Sequence, residues 1–126
     1  MQTIMIDGKT LAAEKRAELK KRVERLLTPP HLDVIWIGDN PASQVYVRHK
    51  EQAGAAVGVE VKVHHLPEST PELEVIDLIE KLNKSADVDG ILVQLPLPKH
   101  MTDSNILEAI DPAKDVDGLP SFNLGL

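Results

Sequence analysis

Gly90-Ile91-Leu92-Val93-Gln94-Leu95 is nearly continuous in apolar residues and stops at Pro96 and Pro98. A run of this kind fits a parallel strand covered by helices on both faces, so it reads as the central strand of a parallel sheet. Proline ends it because the ring removes a ladder donor. Immediately upstream, Thr70-Pro71-Glu72 has the signature of a helix start. Threonine can cap, proline suits the first helical position and acids favour the positive end. The expected buried stripe is Leu73, Ile76, Ile79 and Leu82, with Val75 beside it, and Lys81 and Lys84 favour the negative end.

Further out the same alternation repeats. Val59, Val61 and Val63 interleave with Glu60, Lys62 and His64, as in a strand with one polar face, until Pro67. Before it, Ser43 offers a cap for a helix reaching about Val57, where Gly58 permits a left-handed stop. Gly54 is a weak point inside that helix. Leu32 to Ile37 reads as a buried strand in which Asp33 is the only charged residue, and Gly38-Asp39-Asn40-Pro41 reads as a turn. At the start, Thr3 to Ile6 reads as extended. Ala12, Leu19, Val23 and Leu26 then recur at helical spacing up to Pro29-Pro30. Downstream, a short helix is expected from about Asp103 to Ile110, and Lys114 to Leu126 has no clear period.

Alternating strands and helices predict an α/β fold, a three-layer αβα domain with a mostly parallel sheet and right-handed crossovers. A chain of 126 residues is the size of one domain. Its 42% apolar and 27% charged residues are ordinary for a globular protein. A formal net charge of -6 argues against non-specific nucleic-acid binding, which requires a basic surface. With no cysteine there is neither a disulfide framework nor a thiolate metal site. No run approaches membrane-spanning length and the N-terminus lacks a secretory pattern, so no membrane association and a cytoplasmic location are expected.

Ligands on such sheets sit outside the carboxyl ends of strands, so the loops after Ile37 and Leu95 can converge on one crevice. Tyr46 and Lys50 are four apart, on one helical face. Alone, this pair reads more readily as a solvated lysine packing beside a ring. As a site it needs a lysine partly shielded from water, because desolvation favours the neutral amine. Tyr-x-x-x-Lys also occurs in short-chain dehydrogenases, but there is no G-x-G-x-x-G turn here to accompany it. Gln94 interrupts an apolar strand, and its amide needs partners or costs about 1–3 kcal/mol. It can equally be satisfied by a neighbouring loop. Asp115 and Asp117 sit in a segment that fails as a calcium loop, since Ala113 and Asn123 fall at the first and last ligand positions. His64 and His65 point to opposite faces and make no zinc motif. No metal site is expected.

Three blocks, in this order, are together more specific than any one of them. They are Gly38-Asp-Asn-Pro-Ala-Ser43-Gln-Val-Tyr46-Val-Arg48-His-Lys50, Asp89-Gly-Ile-Leu-Val-Gln94-Leu-Pro-Leu-Pro98, and Pro112-Ala-Lys-Asp115-Val-Asp117-Gly-Leu-Pro-Ser-Phe-Asn123-Leu-Gly. They resemble the methylenetetrahydrofolate dehydrogenase/cyclohydrolase family over the whole chain, which corresponds to that family's N-terminal catalytic domain. The resemblance implies that residues 1–126 form a folate-binding catalytic domain of an enzyme interconverting methylene-, methenyl- and formyl-tetrahydrofolate. It implies Lys50 as the acid/base residue of the cyclohydrolase step, with Gln94 bonded to it. Tyr46 would lie against the folate ring system, Asp117 would hold the pterin, and Asp115 would assist. NADP or NAD would belong to the nucleotide-binding domain of the full-length enzyme and none would bind this chain, which is therefore expected to lack dehydrogenase activity. Full-length relatives are expected to be homodimers through that second domain and the isolated chain a monomer. The competing expectation is a non-catalytic folate-binding or interaction module with the same fold.

Overall fold

The computed structural model describes residues 1–125. Its first element is a helix, α1 (Gly8–Val23), whose start is set by Asp7, a side chain that accepts from the N–H groups of Lys9 and Thr10. The segment before it forms no strand, and Ile4 and Ile6 are exposed. An extended segment needs a partner strand to satisfy its backbone, and none lies beside this one. The helix is also less amphipathic than its spacing predicted. It buries no residue, and it ends at Val23, well before Pro29.

The sheet is built from β1 (His31–Ile37), β2 (Glu60–Leu66) and β3 (Gly90–Val93), all parallel, in the order β2-β1-β3. The central strand is therefore β1, not Gly90–Leu95 as its apolar run predicted. Two successive crossovers place β2 on one side of β1 and β3 on the other. Beyond β3, among the described residues, the sheet is extended only by a single parallel bridge between Ile91 and Asp115. β3 is nevertheless buried along its whole length, because helices cover both its faces.

Between β1 and β2 runs α2 (Pro41–Val57), which ends at Gly58 with φ of +88°, the left-handed stop expected of glycine. Its cap is Asn40 rather than Ser43, with Pro41 at the first helical position. Gly54 is explained by packing: a Cβ there would sit 2.4 Å from Cγ2 of Val61. Between β2 and β3, α3 (Glu72–Lys84) begins with Pro71 at the cap position. Thr70 instead turns its hydroxyl back to the Pro67 carbonyl at 2.6 Å. Val75, Ile79 and Leu82 are buried and Ile76 partly so, whereas Leu73 faces solvent because it lies one residue outside the stripe. Two short helices complete the chain, α4 (Asp103–Glu108) and α5 (Ser121–Leu124). The latter falls in the tail where no period was visible.

Two cores flank the sheet. Ile35, Ile37, Ile91 and Val93 pack under α3 and α4 against Val75, Ile79 and Ile106. Val34, Trp36 and Leu92 pack under α2 against Val47. The alternation of β1 between these clusters makes the three layers, as the sequence predicted. No described helix is long and apolar enough to cross a membrane.

Candidate active site

Leaving β1, the chain turns at Gly38, whose φ of +84° lies in the left-handed region open to glycine. Asn40 then accepts from the N–H groups of Ala42 at 2.9 Å and Ser43 at 3.2 Å, fixing where α2 begins. From that start Ser43, Val47 and Lys50 recur at i, i+4 and i+7 on the face turned to the sheet. Val47 is embedded in the core, which anchors the helix, and Ser43 is buried above it. Lys50, one turn further, is half-buried.

Gln94 lies just past the end of β3 and holds its backbone N–H on the Ile35 carbonyl at 2.9 Å. Its side chain accepts from Lys50 Nζ at 2.9 Å and donates through Nε2 to the Leu95 carbonyl at 3.0 Å. The amide orientation follows from these two partners. Reversing it would set N–H against ammonium and oxygen against oxygen. Ser43 Oγ donates to the same Leu95 carbonyl at 3.3 Å. Helix α2 and the turn after β3 are thus joined through one carbonyl and one amide, which leaves the lysine aimed at a fixed point. Tyr46 is 58% exposed, with its ring centroid 6.0 Å from Lys50 Nζ. That distance is at the outer limit of a cation–π contact, so the ring presents a largely free face.

Asp115 joins the sheet beside Ile91, and the chain from it runs parallel to β3, toward the end where Gln94 lies. Its carboxylate is engaged inside its own loop. Oδ1 accepts from the N–H groups of Asp117 and Gly118, and Oδ2 from the Asn123 side chain at 2.8 Å. Asp117 is exposed, and no ion pair within 4 Å joins either acid to Lys50. The structure therefore brings Tyr46, Lys50 and Gln94 together and keeps the two acids on a neighbouring loop.

A cleft of about 570 Å³ opens at the carboxyl ends of β1 and β3. One rim is Gly38, Asp39 and Asn40, and the other is Pro96 to Lys99. Tyr46, Lys50 and Gln94 are not among its lining residues. Among the described residues no cluster of three or more His, Asp or Glu is arranged to hold a metal ion. The sequence alone offers Ser43 only as a cap. Its spacing of seven from Lys50, with Val47 between, was the signal that it shares the inward face.

The fold and the site define an α/β domain with a buried-edge lysine held by a glutamine at the carboxyl end of a parallel sheet. Residues 6–117 match the family described as tetrahydrofolate dehydrogenase/cyclohydrolase, catalytic domain, and the chain belongs to that family. It is 50% identical over 124 residues to a Lactococcus lactis protein named bifunctional protein FolD, and 46% identical to one of that name from Salinibacter ruber. The chain spans 44% and 42% of the length of these two relatives. Among solved structures, the bifunctional FolD methylenetetrahydrofolate dehydrogenase/cyclohydrolase from Campylobacter jejuni superposes with a TM-score of 0.93 at 45% identity, over 94% of this chain and 43% of that one. The Trypanosoma brucei enzyme, solved with NADP and an inhibitor, superposes with a TM-score of 0.90 at 33% identity, over 99% and 44%.

Proposed function

We propose that this chain is the folate-binding catalytic domain of an enzyme that interconverts methylene-, methenyl- and formyl-tetrahydrofolate, and that Lys50 is its acid/base residue. The observation that carries this reading is the 2.9 Å contact between Lys50 Nζ and Gln94 Oε1 at the carboxyl end of the sheet, beside the free face of Tyr46. Hydrolysis of a methenyl bridge needs water delivered to a cationic carbon and proton transfers to and from the ring nitrogens. A half-buried amine held by one amide can accept and return such a proton without swinging into solvent. Gln94 fixes its position, and Tyr46 offers the ring against which a flat pterin or aminobenzoyl group stacks. Asp117 supplies a carboxylate for adjacent N–H donors of the pterin, and Asp115 supports it by holding the Asp117 backbone N–H.

Hydride transfer in such an enzyme uses a nicotinamide dinucleotide. The glycines of this chain do not fit its phosphates, since no two of them stand in a G-x-G-x-x-G strand-to-helix turn. NAD or NADP is therefore proposed to bind such an enzyme outside the part that corresponds to residues 1–126, which form the folate side. By itself the chain is proposed to be a monomer in the cytoplasm that turns over no nicotinamide, and sedimentation at micromolar concentration tests the first point.

The test of the main reading is hydrolysis of methenyltetrahydrofolate, with binding of 5-formyltetrahydrofolate measured alongside. Lys50→Met is expected to lose hydrolysis while keeping its fold and its affinity. An unchanged rate refutes the role given to Lys50. Binding without any hydrolysis by the natural chain favours a binding module instead.

A further inference from the structure

We propose that the cleft at the carboxyl ends of β1 and β3 receives part of the folate and that His65 is a positioning residue for it, holding the Gly38–Asn40 rim in place; this rests on the folate reading above. Of the two rims, the one at Pro96 is tied to α2 through the Leu95 carbonyl, which accepts from both Ser43 and Gln94. The opposite rim begins at Gly38, and both of its backbone polar groups are held by the last two residues of β2. Its N–H donates to the Leu66 carbonyl at 2.9 Å, and its carbonyl lies 2.8 Å from His65 Nε2. A carbonyl can only accept, so Nε2 carries the hydrogen. The same Nε2 lies 3.4 Å from Oδ1 of Asp39, the next residue of the rim.

The imidazole has one orientation because Trp36 stands behind it. Their rings stack with centroids 3.7 Å apart and planes within 2°, and Trp36 is 8% exposed in the core under α2. The indole N–H has no hydrogen-bond partner, so packing and this stack are what fix the indole. Asn40, two residues past Gly38, caps the helix that carries Ser43, Tyr46 and Lys50. A shift of Gly38 therefore changes both the width of the cleft and the start of the helix bearing the lysine. Binding is the first readout, because the rim is the part of the cleft that His65 holds directly.

Two variants separate the parts. His65→Phe keeps a flat ring on Trp36 and loses the donor, whereas His65→Gln keeps a donor and loses the stack. Each is measured for thermal midpoint, amide hydrogen exchange at Gly38 to Asn40, and affinity for 5-formyltetrahydrofolate. For His65→Phe, a midpoint within a few degrees, roughly tenfold faster exchange at the rim and roughly tenfold weaker binding are expected, the scale of one lost hydrogen bond. His65→Gln should recover most of that affinity. Unchanged exchange in His65→Phe overturns the proposal, and so does faster exchange with unchanged affinity. Should His65→Phe fail to fold, affinity in His65→Gln no better than in His65→Ala overturns it. Absence of binding by the natural chain refutes the folate reading, and with it the positioning role, while the exchange rates still show whether His65 holds the rim.

Discussion

Asp33 is 2% exposed in the middle of the central strand, with Oδ2 at 2.6 Å from His64 Nε2 and with no hydrogen-bond partner on Oδ1. His31 is the next nearest donor, its Nε2 3.9 Å from Oδ1. Replacing His64 by leucine leaves a buried carboxylate without a donor, a change that costs roughly 3–5 kcal/mol. Because the His64 side chain is 17% exposed, water can replace part of the lost contact, which sets the expected cost near the lower figure, about 3 kcal/mol. For a domain of this size that lowers the thermal midpoint by about 11 °C. Asp33→Val should cost less, since the orphaned imidazole still reaches water. The double variant, which lacks both the buried carboxylate and the imidazole that served it, should return to within about 1 kcal/mol of the natural protein or exceed it. Urea unfolding followed through Trp36, the single tryptophan, measures all four corners of the cycle. A cost below about 1 kcal/mol for His64→Leu, or a double variant as unstable as the sum of the singles, refutes the reasoning.

Gly54→Ala should destabilise by about 1–3 kcal/mol despite better helix propensity, because its Cβ meets Val61; adding Val61→Ala should restore stability, as denaturant midpoints will report. Glu72 is held below the ordinary carboxylate range by the Thr102 N–H and then the Asn105 side chain, and Glu108 by the Ser121 N–H and then its hydroxyl. Their contribution is complete above the ordinary range and fades as pH falls through the lowered values. Amides of Thr102 and Ser121 should therefore lose protection, measured relative to their intrinsic exchange rates, as pH falls, and Glu72→Gln with Glu108→Gln should flatten that dependence. Asp115→Ala removes the acceptor for Asp117, Gly118 and Asn123 and should cost about 1–2 kcal/mol with weaker folate binding. Calorimetric titration checks this, and unchanged affinity would separate that loop from the site.

What this sequence determined by itself was whatever depends on neighbours along the chain. The period of Val75, Ile79 and Leu82, the glycine stop at Gly58 and the alternation of strand with helix all arise from local sterics and burial, so the α/β class was legible. The Lys50–Gln94 pair was legible only through its resemblance to a family, since a residue on a helix and one on a strand 44 positions away share no local signal. Tertiary structure decided the rest. It made β1 the central strand, because strand order depends on where crossovers return, and it left Leu73 exposed by one residue of rotation. It moved one cap to Asn40, because buried Ser43 found its acceptor at Leu95, whereas the cap at Pro71 follows from the local turn of Thr70 back to Pro67. The stack of His65 on Trp36 and the burial of Asp33 beside His64 were likewise invisible beforehand, since each needs a register between β1 and β2 that only the folded sheet establishes.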